Sequence, residues 1–135
     1  KNTESVLLLV RQGTFGGIVP NAVDRMVECG ASPDAIAACI GPHIGMCCYD
    51  VPEERAKAFL NRFGLEDKLA IRQRDGRWHL DMGWANYRQL LDAGLAANHI
   101  DAPPMCTFCQ HDMFFSYRND AKDTHGEIMG VIGFR

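Results

Sequence analysis

The segment MFFSYRND, residues 113–120, carries side chains suited to binding a ligand that is both charged and aromatic. Its arginine, Arg118, has a planar guanidinium that can hold a phosphate through two parallel hydrogen bonds. The adjacent phenylalanines can stack on a base, and the serine and tyrosine offer hydroxyls. The same residues could instead form a strand in which Phe114 and Tyr117 cover the edge of a core while Arg118 pairs with a carboxylate. Both interpretations stay open at this point.

The cysteines offer a second kind of chemistry, and there are six of them: Cys29, Cys39, Cys47, Cys48, Cys106 and Cys109. The segment CTFCQH spaces Cys106, Cys109 and His111 as zinc ligands can be spaced, and His43, Cys47 and Cys48 could complete the set. This spacing is only half of a zinc signature, because a second pair at a fixed separation is lacking. We therefore favour free thiols and keep a zinc site as the alternative. No secretory signal is evident, so we expect a reducing compartment, the cytoplasm.

Composition excludes several classes of protein. The chain has 135 residues, of which 47% are hydrophobic and 23% charged, as in one ordinary globular domain spanning residues 1–135. A net charge of -3 argues against a nucleic-acid-binding module, which normally presents a basic face. The longest strongly apolar run, VLLLV, is too short to span a membrane.

Hydrophobic patterning predicts alternating strands and helices in one α/β or α+β domain. Strands are expected at Ser5–Val10, Ala35–Ile40 and Glu127–Phe134, and as a hairpin around Asp75 and Gly76. Helices are expected from Pro20 to Gly30, from Pro52 to Phe63 and from Met82 to Asn98.

The last of these helices should begin at Asp81, whose carboxylate can cap it. Its apolar stripe would consist of Trp84, Tyr87, Leu91 and Leu95. Asn86 and Gln89 then fall on its polar side.

Three segments together are similar to one family. The segments AACIGPHIGMCCYDV, HLDMGWANYRQLLDAG and CTFCQHDMFFSYRND occur in the order and spacing of the laccase-domain proteins. That family was first labelled multicopper polyphenol oxidoreductase and is now better described as zinc-dependent purine nucleoside phosphorylase with adenosine deaminase activity. The resemblance covers nearly the whole chain.

The resemblance implies a fold, ligands and a binding site. The fold would be a layered sandwich of mixed β-sheet with flanking helices. The substrates would be a purine nucleoside and phosphate, and the cofactor zinc, or copper in the older description. The candidate substrate-binding residues are Gly41, Pro42, His43, Gly45, Phe114, Phe115, Ser116, Tyr117 and Arg118.

The chain resembles only the C-terminal portion of that family. The family's metal is held by a His-Cys-His set, of which two ligands should lie upstream of Lys1. The third should fall near Leu8–Gly13, where Leu8 stands in place of the histidine. We therefore expect that this chain alone does not bind the family's metal and has little activity. The alternative function is a non-catalytic relic or binding module that keeps the fold without the metal site.

The resemblance also predicts self-association. If a family N-terminal segment is missing, the apolar run at Val6, Leu7, Leu8 and Leu9 would lose part of its cover. We expect the chain to form a homo-oligomer or to pair with that segment.

Overall fold

The computed structural model of the chain describes residues 11–64, 70–120 and 126–133, which contain four α-helices and five short strands. Backbone contacts group the chain into two units. Unit 1 comprises Lys1–Ile40, Ala85–Ala102 and Gly130–Arg135, and unit 2 comprises Gly41–Trp84 and Pro103–Met129. The strand predicted at Ser5–Val10 lies outside the described residues. A single domain over residues 1–135 remains a prediction.

Unit 1 begins with two helices, α1 (Arg11–Gly16) and α2 (Ile18–Glu28). Gly17 separates them with a φ of 80°, in the left-handed region that glycine enters without steric cost. The helix predicted from Pro20 to Gly30 is confirmed to within two residues as α2, whereas α1 is an additional helix that was not predicted. Proline is tolerated at its place in α2, since the first four N–H groups of a helix have no intrahelical partner.

The sheet of unit 1 is small. Strand β1 (Ala38–Cys39) pairs in parallel with β5 (Ile100–Asp101). The predicted buried strand over Ala35–Ile40 is therefore wrong in length, because a 3₁₀ turn at Pro33–Ala35 occupies its start and the pairing with β5 ends after two residues. Short 3₁₀ structure also precedes β5, at Ala97–His99. The buried core of this unit consists of Val19, Val23, Ile36, Ile40, Leu90, Leu95 and Ile100.

Unit 2 is built on an antiparallel sheet of three strands in the order β2-β4-β3. These strands are β2 (Asp50–Val51), β3 (Ile71–Arg74) and β4 (Arg77–Leu80). Asp75 and Gly76 join β3 to β4 with φ values of 50° and 73°. Positive φ at both positions defines the tight hairpin turn that Asp-Gly sequences favour, so the predicted hairpin is confirmed.

Helix α3 (Glu53–Phe63) packs against β4 and ends at Gly64, whose φ is 58°. Its first turn carries two acidic residues and its last turn carries Arg62, a charge order that the helix dipole favours. Ala56 and Phe59 are its buried residues. The helix predicted from Pro52 to Phe63 is confirmed to within a residue.

Helix α4 (Met82–Asp92) begins as predicted, because the N–H of Trp84 donates to Asp81 Oδ1 at 2.8 Å. Its predicted extension to Asn98 is wrong. Gly94, with a φ of 96°, takes the chain out of the helix shortly after Asp92.

The predicted polar side of α4 is also wrong. Asn86 and Gln89 are buried, and the exposed positions of the helix are Arg88 and Asp92. A helix with so narrow an exposed face buries polar residues as well as apolar ones. The Gln89 amide donates to the carbonyls of Thr14 and Ala85, both at 3.3 Å.

The C-terminal segments do not form the predicted strands. Over residues 113–120 the chain forms turns, in which the N–H groups of Met113 and Phe114 donate to the Gln110 carbonyl. Such short-range bonds exclude the extended backbone of a strand. No strand is present in residues 126–133 either, although one was predicted over Glu127–Phe134. A strand needs a hydrogen-bonding neighbour, and this stretch has none among the described residues. No helix in the described ranges has the length and apolar character needed to cross a membrane.

Candidate functional site

Two loops of unit 2 are hydrogen-bonded to one another and carry much of the candidate chemistry. The N–H of His43 donates to the Met105 carbonyl at 3.2 Å, and the N–H of Thr107 donates to the His43 carbonyl at 3.0 Å. This parallel bridge pairs His43 with Cys106. The GPHIG segment is therefore fixed against the start of CTFC by backbone geometry.

Four cysteines meet at this junction. The Sγ atoms of Cys47, Cys48, Cys106 and Cys109 all lie within 4.8 Å of one another. Cys109 Sγ is 3.6 Å from Cys47 Sγ and 3.4 Å from Cys48 Sγ. His111, the third member of the zinc set suggested by the sequence, is exposed and lies outside this group. The four thiols together could hold a metal ion.

The thiols of this group differ in acidity. Burial raises the pKa of Cys106, but N–H groups of Cys109 and Gly45 that point at its sulfur outweigh burial and lower the pKa to about 7. Burial, reinforced by hydrogen bonds from Cys106 and Cys109, raises the pKa of Cys47 to about 11. Burial likewise raises the pKa of Cys48. As pH rises, Cys106 therefore ionises before Cys47 and Cys48.

The predicted candidate His43 is held in place on both sides of its ring. Its Nδ1 lies 2.9 Å from the Gly41 carbonyl, so Nδ1 carries the proton and donates. On the other side, a Cβ atom added at Gly83 would overlap Nε2 and lie 2.7 Å from Cε1. Gly83 was not singled out from the sequence, because only the fold reveals that the imidazole needs its space.

The guanidinium of Arg118 is oriented by residues of a different predicted segment. Nη1 donates to Asp50 Oδ1 at 3.1 Å, and Nη2 donates to the Asp50 main-chain carbonyl at 3.3 Å. The guanidinium carbon also lies 5.1 Å from the centre of the Tyr49 ring, within range of a cation–π contact. Arg118 therefore pairs with a carboxylate, as one of the two interpretations of its segment required.

A cleft of about 520 Å³ lies beside this pair, lined by Asp50, Glu53, Gln73, Arg77, Trp78 and Arg118 among others. Arg77 Nη1 approaches Asp50 Oδ2 at 3.8 Å, so two guanidinium groups face one carboxylate. The volume is in the usual range for a small-molecule site. The two guanidinium groups and the indole offer contacts for an anion next to a flat ring, and the carboxylates of Asp50 and Glu53 balance the positive charge of the lining.

The other residues of the MFFSYRND segment lie differently. Among the described substrate-binding candidates, Arg118 alone lines this cleft. Ser116 is buried, and its N–H donates to Asp120 Oδ2 at 2.8 Å. Phe115 and Tyr117 are 56% and 67% exposed, so they form no closed aromatic wall in this chain. Arg77 and Trp78 belong to the hairpin, where no sequence motif indicated a binding role.

The described residues do not fit the His-Cys-His metal site that the resemblance implies. Within the described ranges, one group of His, Cys, Asp or Glu side chains has its ligand atoms close enough together to share a metal ion, and that group consists of the four cysteines. A catalytic zinc keeps one coordination position open for water or substrate, whereas a four-cysteine set closes all four. No catalytic step is therefore assigned to zinc on these residues.

Comparison with known proteins agrees with the motifs. Residues 11–135 match the family described as multi-copper polyphenol oxidoreductase laccase. "Purine nucleoside phosphorylase YlmD" of Geobacillus stearothermophilus is 36% identical, over 92% of this chain and 46% of its own length. "Adenosine deaminase RL5", from an unknown prokaryotic organism, is 36% identical over 79% of this chain and 41% of its own length.

Solved structures share the fold. The crystal structure of Bacillus licheniformis hypothetical protein YfiH superposes with a TM-score of 0.73 at 32% identity, covering 80% of this chain and 41% of that chain. The α+β class predicted from the sequence is thereby confirmed. The chain spans less than half the length of these relatives. It belongs to the multi-copper polyphenol oxidoreductase laccase family.

Proposed function

We propose that this protein is a purine nucleoside phosphorylase in which this chain supplies a phosphate-binding site around Arg118. The observation that carries the proposal is the 36% identity, over 92% of the chain, to a relative of that name. The cleft beside Arg118 supports it, because Arg118 and Arg77 offer hydrogen-bond donors for an anion there, beside the carboxylates of Asp50 and Glu53.

The reaction fixes what such a site must do. A phosphate oxygen attacks C1′ of the ribose while the bond from C1′ to the purine nitrogen breaks. The purine leaves with the electron pair of that bond and takes up a proton, and ribose 1-phosphate forms. The nucleophile carries negative charge toward the sugar, so it must be bound and oriented by cations before it reacts.

The orientation of Arg118 suits this role. Asp50 engages one N–H each of Nη1 and Nη2, which leaves other N–H groups of the guanidinium for an anion. Tyr49 supports one face of the same group. Arg77 adds a second positive charge near Asp50. A phosphate would thus meet a preoriented guanidinium rather than a flexible one.

Binding of inorganic phosphate to the 135-residue chain tests the site. Isothermal titration calorimetry should detect binding by the unaltered chain and a loss of at least about tenfold in Arg118→Ala, the effect of removing a charge-assisted contact. Arg25→Ala removes an arginine that pairs with Glu28 on the surface and should bind as the unaltered chain does. Equal phosphate binding by all three chains would overturn the assignment of Arg118.

Turnover separates the candidate activities. We expect the 135 residues alone to release little hypoxanthine from inosine and phosphate, because the described residues do not fit a catalytic metal site. Robust turnover by the 135 residues alone would contradict this expectation.

Adenosine deamination is the second candidate, favoured by the 36% identity to the relative named adenosine deaminase. Ammonia release from adenosine without any need for phosphate would support deamination over phosphorolysis. Nucleoside and phosphate binding without either reaction, even in a longer form of the protein, would favour the non-catalytic binding module.

A further inference from the structure

We propose that Cys47, Cys48, Cys106 and Cys109 bind one zinc ion in a closed, structural four-thiolate site. This site shares no residue with the His-Cys-His set of the family resemblance or with the cleft beside Arg118. It is therefore independent of the proposed phosphorylase function.

The sulfur positions suit tetrahedral coordination. Zinc–sulfur bonds of about 2.3 Å place tetrahedral sulfur atoms about 3.8 Å apart. The four Sγ atoms already lie within 4.8 Å of one another, and two of the separations are 3.4 and 3.6 Å. Small side-chain rotations would bring all four to equal distances from a central ion. Soft thiolates in a tetrahedral set favour zinc or iron over harder ions such as magnesium and calcium.

The backbone around Cys106 is arranged to receive a thiolate. Its Sγ accepts a hydrogen bond from the Gly45 N–H at 3.3 Å, and the backbone of Phe108 and Cys109 also points donors at it. Donors of this kind offset the negative charge of a metal-bound sulfur and fix its direction. The CTFC segment thus forms a turn that wraps around its own first cysteine.

The approach of the two loops depends on Gly45. A Cβ atom at this position would lie 3.2 Å from Cys106 Cβ and 3.3 Å from Cys47 Sγ. A side chain here would press on both cysteines, so each would have to shift by a few tenths of an ångström. The loop that carries Cys47 and Cys48 is held further by His79, whose Nδ1 donates to the Met46 carbonyl at 2.8 Å. The small size of Gly45 and the hydrogen bond from His79 therefore both keep Cys47 and Cys48 close to Cys106.

Protection of thiols tests the proposal on the unaltered chain. The chain is reduced, loaded with zinc, freed of excess metal and treated with iodoacetamide, and the alkylated cysteines are mapped by mass spectrometry. We expect one zinc per chain, rapid alkylation of the exposed Cys29 and Cys39, and protection of the four clustered cysteines until a chelator is added. Alkylation of all six at similar rates would overturn the proposal, as would a disulfide in the cluster without bound metal.

Variants and a second metal make the test specific. Cys48→Ser/Cys109→Ser should lose the zinc, whereas the matched control Cys29→Ser/Cys39→Ser should keep it. Cobalt in place of zinc should give the intense charge-transfer absorption of a tetrahedral four-thiolate complex in the unaltered chain. Retention of zinc by the cluster variant, or a cobalt spectrum without thiolate bands, would contradict the site. The protection and cobalt measurements do not depend on whether the variants fold.

Discussion

At Gly83 there is no room for a side chain, because the imidazole of His43 occupies the space of a Cβ atom. His43 is in turn held by the Gly41 carbonyl, so it cannot move aside without losing a hydrogen bond. The glycine, the ring and the bridge between His43 and Cys106 form one packing unit. A single added methyl group should disturb all of it.

Gly83→Ala should lower the free energy of unfolding by about 1–3 kcal/mol, the usual cost of overpacking. Chemical denaturation followed by circular dichroism measures the change. Gly16→Ala is the matched control, because a Cβ at that exposed helical position meets nothing within 4 Å. When His43 is already replaced by alanine, Gly83→Ala should no longer lower the free energy of unfolding. A loss at Gly83 that is independent of the His43 ring would contradict this explanation.

Arg118 should matter more for binding than for stability. Its pair with Asp50 is 38% and 43% exposed, and exposed ion pairs contribute about 0–1 kcal/mol. Arg118→Ala should therefore lower the unfolding free energy by less than about 1 kcal/mol while phosphate binding is lost. A loss of several kcal/mol would show that Arg118 is a structural anchor and would remove the basis for the binding test.

Single residues also show where sequence reasoning stops. The pairing of Arg118 with a carboxylate was foreseen as one interpretation of its segment, but the partner lies 68 positions away and local spacing cannot find it. In the same way the sequence indicates Cys106 and Cys109 as half of a metal set. Their grouping with Cys47 and Cys48 depends on a backbone bridge between distant loops.

Helices and hairpins were predictable where a local signal determines them. The Asp75–Gly76 turn, the Asp81 cap and the end of α3 at Gly64 follow from residue chemistry within a few positions. The length of β1 and the conformation of the C-terminal segments were not predictable in this way, because a strand extends only as far as its neighbour pairs with it. Burial of Asn86 was missed because apolar periodicity does not reveal how many faces of a helix are covered.

The start of α4 can be tested through its cap. Asp81→Ala removes the acceptor for the Trp84 N–H and should lower the free energy of unfolding by about 1 kcal/mol, within the 0.5–2 range of such caps. Asp81→Asn should cost less, since an amide oxygen still accepts the bond. Asp92→Ala, which breaks an exposed pair with Arg88 on the same helix, should cost only about 0.3–0.5 kcal/mol. Equal losses for Asp81→Ala and Asp92→Ala would contradict capping.

For the whole chain, the family and fold class could be recognised from three motifs, whereas self-association remains a prediction. The structure adds an observation that bears on it, because Ile128, Met129, Val131 and Ile132 are exposed in a stretch without strand pairing among the described residues. Exposed apolar residues close together in the sequence favour association with another chain.

Sedimentation at micromolar concentration should therefore detect dimers or larger species. Met129→Lys/Val131→Lys should shift the distribution toward monomer, because two charges oppose apolar contact. Val27→Lys is the control, because Val27 is an exposed apolar residue of α2 that does not belong to this stretch, and it should leave the distribution unchanged. Leu7→Lys tests the apolar run predicted from the sequence. A monomeric unaltered chain would contradict self-association.

The distance along the chain between the clustered cysteines has a consequence for folding. Cys109 contacts Cys47 and Cys48 from 62 and 61 positions away, with the three-stranded sheet and α3 between them in the sequence. Closing a loop of this length costs about 4 kcal/mol of conformational entropy, by the relation used for disulfides. Binding of an ion shared by these thiolates would offset that cost once the segments have met. The hairpin can form in about 1–10 μs from neighbouring residues, whereas closing the long loop must wait for distant segments to meet. Zinc would thus act late, locking a sheet that had already folded, and its removal should speed unfolding more than it slows folding.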